Sequence, residues 1–224
     1  MPDPAGLLDL PEGFSYRVIS RLGDAMDDGG TVPDRADGMG CFDLGNGEIA
    51  GFEALMRWDH PKRGNISPTE FIPIAEMSDL IEPLGMFALE RASGDLMDWE
   101  RQTGELPIFV SVNLSSAQLI SSEIYNDIRA MLVKTQCDPK RIKLELTESV
   151  VMENPEQARL MLQKLKDTGI SLALDDFGTG YSSLETLRAF PFDKIKLDRF
   201  FAAELEGNIQ STAILRAVLA LGSG

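Results

Sequence analysis

The stretch LALDDFGTGYSSL, residues 172–184, joins an apolar run to two adjacent aspartates and then to a glycine-containing turn. The apolar run predicts a buried strand, and Gly178 and Gly180 let the backbone turn tightly after it. Asp175 and Asp176 repel each other unless a positive charge lies nearby. A divalent cation supplies such a charge, so the stretch predicts a strand that ends at a metal site. Because neighbouring strand residues point in opposite directions, the two aspartates can bridge two cations or take separate roles.

The chain around this stretch alternates predicted strands with predicted helices from Glu48 onward. Segments with apolar residues at helical spacing separate the strands, which we place within residues 49–58, 108–115, 141–148, 170–176 and 194–198. This alternation favours a parallel sheet, either open and doubly wound or closed into a (β/α) barrel. No glycine-rich nucleotide motif follows the first strand, so the open sheet gains no support. A barrel predicts that chemistry collects at the C-terminal ends of several strands.

The predicted strand ends carry polar side chains, most of them with oxygen ligands. They are Glu53, Asn113, Glu145, Asp175 with Asp176, and Lys196 with Asp198. A single acidic residue at a strand end is more often a helix cap or a solvated loop residue. Five successive units that each place such a group argue instead for a shared site. The sequence therefore predicts a TIM-like (β/α) barrel, of class α/β, with a charged site on one rim.

The composition limits what this site can contain. The chain of 224 residues has one histidine, His60, which argues against a histidine-rich zinc site or a Ser-His-Asp triad. We expect His60 to be a turn or packing residue. Oxygen ligands favour Mg²⁺ or Mn²⁺. The net charge of −15 disfavours long nucleic acid polymers, whose binding depends on lysine and arginine.

The sequence also bears on location. No run of 18 apolar residues is present, so no membrane segment is expected. The first residues lack the basic and apolar regions of a secretory signal. Cys41 and Cys137 are expected to be reduced thiols. We therefore expect a cytoplasmic protein.

Five blocks of sequence resemble the signature blocks of the EAL domain family, in the family's order and across residues 48–224. They are FEALMRW (52–58), VNLS (112–115), LELTES (144–149), DDFGTGYSSL (175–184) and KIKLDRFF (194–201). The resemblance implies a TIM-like barrel. It also implies hydrolysis of the bacterial second messenger cyclic di-GMP to linear pGpG, with Mg²⁺ or Mn²⁺ as cofactor.

The same resemblance implies a role for each rim residue. It implies that Lys196 orients or activates the attacking water, that Glu148 holds the loop after the double aspartate, and that Glu53 belongs with them among the catalytic residues. The resemblance implies that Arg57 contacts the substrate phosphate. It also implies that Asp198 belongs with Arg57 among the substrate-binding residues and supports Lys196. The implied metal ligands are Glu53, Asn113, Glu145, Asp175 and Asp176.

Two regions depart from the EAL pattern. Residues 8–49 resemble the start of a PhoX-type alkaline phosphatase, which suggests a chimera joined near NGEIAG (46–51). We therefore divide the chain into an irregular lead-in, 1–47, and an EAL domain, 48–224. The family's last two strand motifs have no counterpart, so we expect an incomplete barrel without its last two strands.

These departures leave alternatives to hydrolysis open. One is a catalytically inactive EAL-like module that binds cyclic di-GMP or a protein partner. Another is a non-functional fragment. The sequence also leaves open a homodimer or a sensor-domain partner.

Overall fold

The computed structural model of the chain describes residues 39–43, 49–78, 80–104, 108–177 and 189–197. Most of the predicted lead-in, 1–47, lies outside the described residues. So do the turn at 178–184, Asp198 and the residues that follow it.

The described part of the chain contains eight strands and six α-helices. The strands are β1 (Met39–Asp43), β2 (Ile49–Ala54), β3 (Trp58–His60), β4 (Gly64–Ile66), β5 (Phe109–Asn113), β6 (Ile142–Thr147), β7 (Ser171–Phe177) and β8 (Lys194–Leu197). The helices are α1 (Pro68–Glu76), α2 (Ile81–Thr103), α3 (Ser116–Ile120), α4 (Ile124–Thr135), α5 (Glu148–Glu153) and α6 (Pro155–Lys166), with a short 3₁₀ turn at Pro139–Arg141. Among these residues, no helix is both long enough and apolar enough to cross a membrane.

Six of the strands form one sheet in the order β1-β2-β5-β6-β7-β8. β1 runs antiparallel to β2, and every later neighbouring pair is parallel. The parallel sheet predicted from strand–helix alternation is thus confirmed. The order follows the chain, with a helical crossover between each successive parallel pair from β2 to β7, which is the usual connection for parallel strands.

The strand predicted over residues 49–58 is wrong in its second half. β2 ends at Ala54, and Trp58–His60 form β3, which pairs with β4 in a separate antiparallel hairpin. The apolar run continues through both strands without a turn residue, so its pattern does not reveal the break. Which partner a strand pairs with is a tertiary property that local pattern does not contain.

Alternate residues of the parallel strands face opposite ways, and the two faces differ in chemistry. Leu144 and Leu146 of β6 and Leu172 and Leu174 of β7 are buried in the main hydrophobic core. Residues from α2, α4 and α6 belong to the same core, including Leu96, Met131, Leu162 and Leu165. The polar strand residues lie at the alternate positions. The two-residue period therefore fixes the helices on one face and directs the polar set to the other.

Close packing between α2 and α3 depends on a glycine. A Cβ placed on Gly85 of α2 would lie 1.6 Å from the Nε2 atom of Gln118. Gln118 is 2% exposed, and its side chain is held because Oε1 accepts a hydrogen bond from the Ser115 N–H. Glycine inside a helix costs about 1 kcal/mol relative to alanine, and here the close approach of Gln118 accounts for its presence.

We predict opposite effects for alanine at two glycines of α2. Gly85→Ala should lower the free energy of unfolding by roughly 1–2 kcal/mol, because the cost of overpacking exceeds the gain in helix propensity. Gly94→Ala should raise it by about 0.5–1 kcal/mol, since nothing lies within 4 Å of a Cβ at Gly94. Urea unfolding followed by circular dichroism measures both. Stabilisation of both variants would contradict the packing of Gly85 against Gln118.

Candidate metal centre

Three carboxylates from three strands meet at one rim of the sheet. One oxygen each from Glu53, Glu145 and Asp175 lies within 4.8 Å of the others. The strands β2, β6 and β7 carry them at or near their C-terminal ends, and parallel strands bring those ends to one edge. Pairing of Asn113 with Glu145 and of Thr147 with Asp175 sets the register that aligns them.

Lys196 on β8 lies between these carboxylates. Its Nζ donates to Oε2 of Glu145 at 2.7 Å and to Oδ2 of Asp175 at 2.8 Å, and it lies 3.9 Å from Oε2 of Glu53. Burial by itself lowers the pKa of the ammonium. The hydrogen bonds to Asp175 and Glu145, together with the negative charges of Glu145 and Glu53, outweigh burial and raise the pKa above its ordinary value. Lys196 is therefore positively charged at neutral pH.

Glu145 is the most buried member of the cluster, with a side chain that is 0% exposed. Burial raises the pKa of its carboxyl above the ordinary value, against the opposing effect of Lys196. Its Oε1 atom is buried and accepts no hydrogen bond within the described part of the chain. A buried oxygen without a donor is costly, and ligation of a cation is one way to satisfy it.

The donor set of this rim suits a hard divalent cation. All three cluster ligands are carboxylate oxygens, the type that Mg²⁺, Ca²⁺ and Mn²⁺ accept. The unpartnered Oε1 belongs to Glu145, a residue of the same cluster. The residues present therefore fit a divalent metal ion.

Asn113 lies beside this cluster and contacts it directly. Its Nδ2 donates to Oε1 of Glu53 at 2.8 Å. The backbone after it is held on both sides, because the Leu114 N–H donates to the carbonyl of Glu145 at 2.8 Å and Ser115 forms a capping box with Gln118. Asn113 therefore fixes Glu53 in the structure, and its role as a metal ligand stays a prediction.

The two adjacent aspartates have different positions, as their alternation on a strand allows. Asp176 has a left-handed backbone, φ +53°, and is exposed. Its N–H donates to Oδ1 of Asp175 at 2.9 Å. Asp175 belongs to the carboxylate cluster and Asp176 does not. A role for Asp176 with a second cation stays a prediction.

The remaining predicted site residues lie near the rim or outside the described chain. Glu148 is buried and is the first residue of α5, directly after β6. The loop that it is predicted to hold is outside the described residues, and so is Asp198. Arg57 follows β2 by three residues, and its guanidinium donates to the carbonyl of Met56. The roles of all three stay predictions.

Sequence reasoning missed two features that shape the rim. The capping box of Ser115 and Gln118 was readable from the S-x-x-Q pattern that begins two residues after Asn113. Lys143 was missed because nothing in the sequence singles out one lysine in a strand. It lies two residues before Glu145, and its Nζ lies 3.4 Å from the centroid of the Phe109 ring. Burial and the charge of Lys194 lower the pKa of Lys143, opposite to the shift at Lys196.

We predict that substitution by methionine has different effects at Lys196 and at Lys143. Lys196→Met should lower the free energy of unfolding by about 2–4 kcal/mol, because it leaves Glu145 and Asp175 without their counter-charge. Lys143→Met should change it by less than about 1 kcal/mol, since burial already disfavours that charge and methionine keeps contact with the Phe109 ring. Urea unfolding in a buffer with chelator measures both. Equal losses would contradict the assignment of Lys196 as the counter-ion of the cluster.

Comparison with known families assigns most of the chain. Residues 41–224 match the family described as EAL domain. Residues 1–63 match the family described as Alkaline phosphatase PhoX. Both resemblances seen in the sequence are confirmed, and the two matches overlap between residues 41 and 63.

Curated relatives share the EAL-like part and are much longer than this chain. An uncharacterized signaling protein of Caulobacter vibrioides is 46% identical over 177 residues, which is 79% of this chain and 21% of that protein. The cyclic di-GMP phosphodiesterase PA2567 of Pseudomonas aeruginosa is 34% identical over 182 residues, 81% of this chain and 31% of that protein. The chain thus spans about a fifth to a third of the length of these relatives.

A solved structure has the same fold. The PaMucR phosphodiesterase in a c-di-GMP complex superposes with a TM-score of 0.70 at 36% identity, covering 80% of this chain and 72% of that one. The predicted TIM-like α/β fold is therefore confirmed.

Proposed function

The chain belongs to the EAL domain family, and on that premise we propose that it hydrolyses cyclic di-GMP to linear pGpG. The observation that carries this proposal is the rim cluster, in which Lys196 contacts Glu145 and Asp175 and lies near Glu53. It combines ligands for a divalent cation with a fixed positive charge, as opening a phosphodiester requires. The relative named as a cyclic di-GMP phosphodiesterase supports the choice of substrate.

The proposed reaction opens one of the two phosphodiester links of the ring. The oxygen of a water molecule forms a bond to phosphorus, and the bond from phosphorus to the 3′ oxygen breaks. The 3′ oxygen takes up a proton, and the second proton of the water is released. Negative charge grows on the phosphoryl oxygens and on the leaving oxygen as this happens.

The rim residues have distinct tasks in this reaction. We assign cation binding to Glu53, Glu145 and Asp175, with Asn113 beside them. The chemistry that Mg²⁺ or Mn²⁺ supplies in such a site is polarisation of a phosphoryl oxygen and a lowered pKa of bound water. Lys196 orients the attacking water and stabilises the developing negative charge, since its ammonium is already held in place by two carboxylates.

The outer residues are assigned to substrate and loop. We propose that Arg57 contacts a substrate phosphate, that Asp198 supports Lys196, and that Asp176 serves a second cation. Burial of Glu148 beside β6 suits a role in holding the loop that follows Asp176. Because the substrate is a bacterial second messenger, we place the reaction in the cytoplasm.

The organisation of the chain is also a proposal. We place the boundary between the PhoX-like lead-in and the EAL domain near residue 47, within the overlap of the two family matches. A homodimer or a sensor-domain partner would regulate the loop after the double aspartate. The longer relatives support a partner domain, since they contain much sequence beyond the EAL-like part.

Loss of one rim carboxylate tests the reaction. We predict that the full chain with Mg²⁺ or Mn²⁺ converts cyclic di-GMP to pGpG, followed by chromatography. Glu53→Ala should lower the rate about 100-fold or more, because it removes a ligand of the proposed cation. Glu156→Ala removes an exposed carboxylate on α6, and it should leave the rate within about twofold of the wild type.

Removal of divalent ions and a measurement of cyclic di-GMP binding distinguish hydrolysis from binding without hydrolysis. Removal of divalent ions should stop conversion, and added Mn²⁺ should restore it. A folded wild-type chain that binds cyclic di-GMP without converting it would reject hydrolysis in favour of a binding module. Equal rates for Glu53→Ala and Glu156→Ala would reject the rim as the active site.

A further inference from the structure

The turn between β3 and β4 is closed by the side chain of His60. Its Nδ1 atom accepts hydrogen bonds from two backbone N–H groups, Lys62 at 3.1 Å and Arg63 at 3.3 Å. His60 itself pairs with Gly64 across the hairpin. The Nδ1 atom of His60 therefore fixes the backbone of the turn through these two hydrogen bonds.

This contact determines the tautomer of the neutral imidazole. A nitrogen that accepts hydrogen bonds has no proton, so the single proton of the neutral ring must lie on Nε2. A protonated imidazole has two donors and no acceptor, and it would face two N–H groups that have lost their partner. The turn of residues 61–63 is thus built for a neutral histidine.

The hairpin is attached to α1 at two places. The His60 ring lies 5.7 Å from the ring of Trp58, and the Trp58 ring meets the Phe71 ring of α1 edge-on at 5.8 Å. Phe71 is buried. On the turn itself, Arg63 pairs with Glu70 of α1 at 2.6 Å. The geometry of the turn therefore determines how β3 meets the first helix.

The same hairpin bounds the segment that contains Arg57. The end of β2 is separated from the start of β3 by only three residues, Leu55, Met56 and Arg57. One end of this segment is fixed by the pairing of β2, three residues before Arg57 at Ala54. The other end is fixed by the hairpin, which begins at the next residue, Trp58. Arg57 can keep a constant distance from the rim only while both ends are held.

We infer that His60 is a positioning residue, whose Nδ1 fixes the β3–β4 hairpin and through it the guanidinium that meets a phosphate of the substrate. This inference rests on the proposed function. It separates His60 from any role as a ligand or as an acid–base group. It requires an acceptor at the position of Nδ1, and it predicts that the contact of the ring with Trp58 is dispensable for this role.

Three substitutions at this position test that requirement. In His60→Asn the amide oxygen takes the place of Nδ1, whereas in His60→Gln it lies where Nε2 lay. His60→Ala has no acceptor. With cyclic di-GMP as substrate, His60→Asn should keep KM within about threefold of the wild type. The Gln and Ala variants should raise KM about tenfold, with kcat within about twofold.

Coupling to Arg57 shows that the effect acts through that residue. Arg57→Ala should raise KM as well, and adding His60→Gln to it should raise KM little further, because the two changes disable the same contact. Full additivity of the two effects would overturn the inference, as would equal KM values for the Asn and Gln variants.

A spectroscopic measurement tests the hairpin independently of turnover. Because His60 is the only histidine, ¹⁵N-histidine NMR of the full chain reports one ring, and it should show the Nε2-protonated tautomer at pH 8. A proton on Nδ1 would overturn the inference whatever the activity. A wild-type chain that neither converts nor binds cyclic di-GMP would remove the proposed function and the positioning role together, whereas normal kinetics with equal Asn and Gln variants removes only the latter.

Discussion

The rim depends on the contacts that the ammonium group of Lys196 makes with its carboxylates. Parallel pairing of β6 with its neighbours aligns Glu145 near carboxylates from β2 and β7, and such a group is self-repelling without a cation. Lys196 supplies that cation from the next strand, with hydrogen bonds to Glu145 and Asp175. The sheet can therefore hold these charged residues together at one rim. The arrangement that stabilises the fold is also the one that we propose acts on a phosphate ester.

The strand period separates stability from chemistry. On β6, Leu144 and Leu146 are buried in the core with the helices, while Lys143 and Glu145 lie on the alternate positions. A strand so arranged cannot shift by one residue, because each leucine would exchange places with a charged group. The register is thus protected by the hydrophobic core. The precision of the rim follows from that protection.

The sequence predicted the parallel sheet and a shared edge for Glu53, Glu145 and Asp175, because both depend on local pattern. Alternating strands and helices indicated a parallel sheet, and strand-end carboxylates such as Glu145 and Asp175 indicated a shared edge. The end of β2 at Ala54 could not be predicted, since the apolar run to Trp58 continues without a break. The contacts of Lys196 and the hairpin of His60 also lay beyond prediction, because both join residues whose proximity only the fold determines.

The paired aspartates show why identical side chains need not share a role. Asp175 continues the strand and meets Lys196 at 2.8 Å. Asp176 also lies in β7, at an irregularity in its pairing with β8, and has a left-handed conformation, which an aspartate tolerates better than most residues. Its side chain is exposed and is not part of the carboxylate cluster, while its N–H donates a hydrogen bond to Oδ1 of Asp175. The second aspartate thus acts on the first through the backbone, and any movement of the loop that rotates this peptide would alter a carboxylate of the cluster.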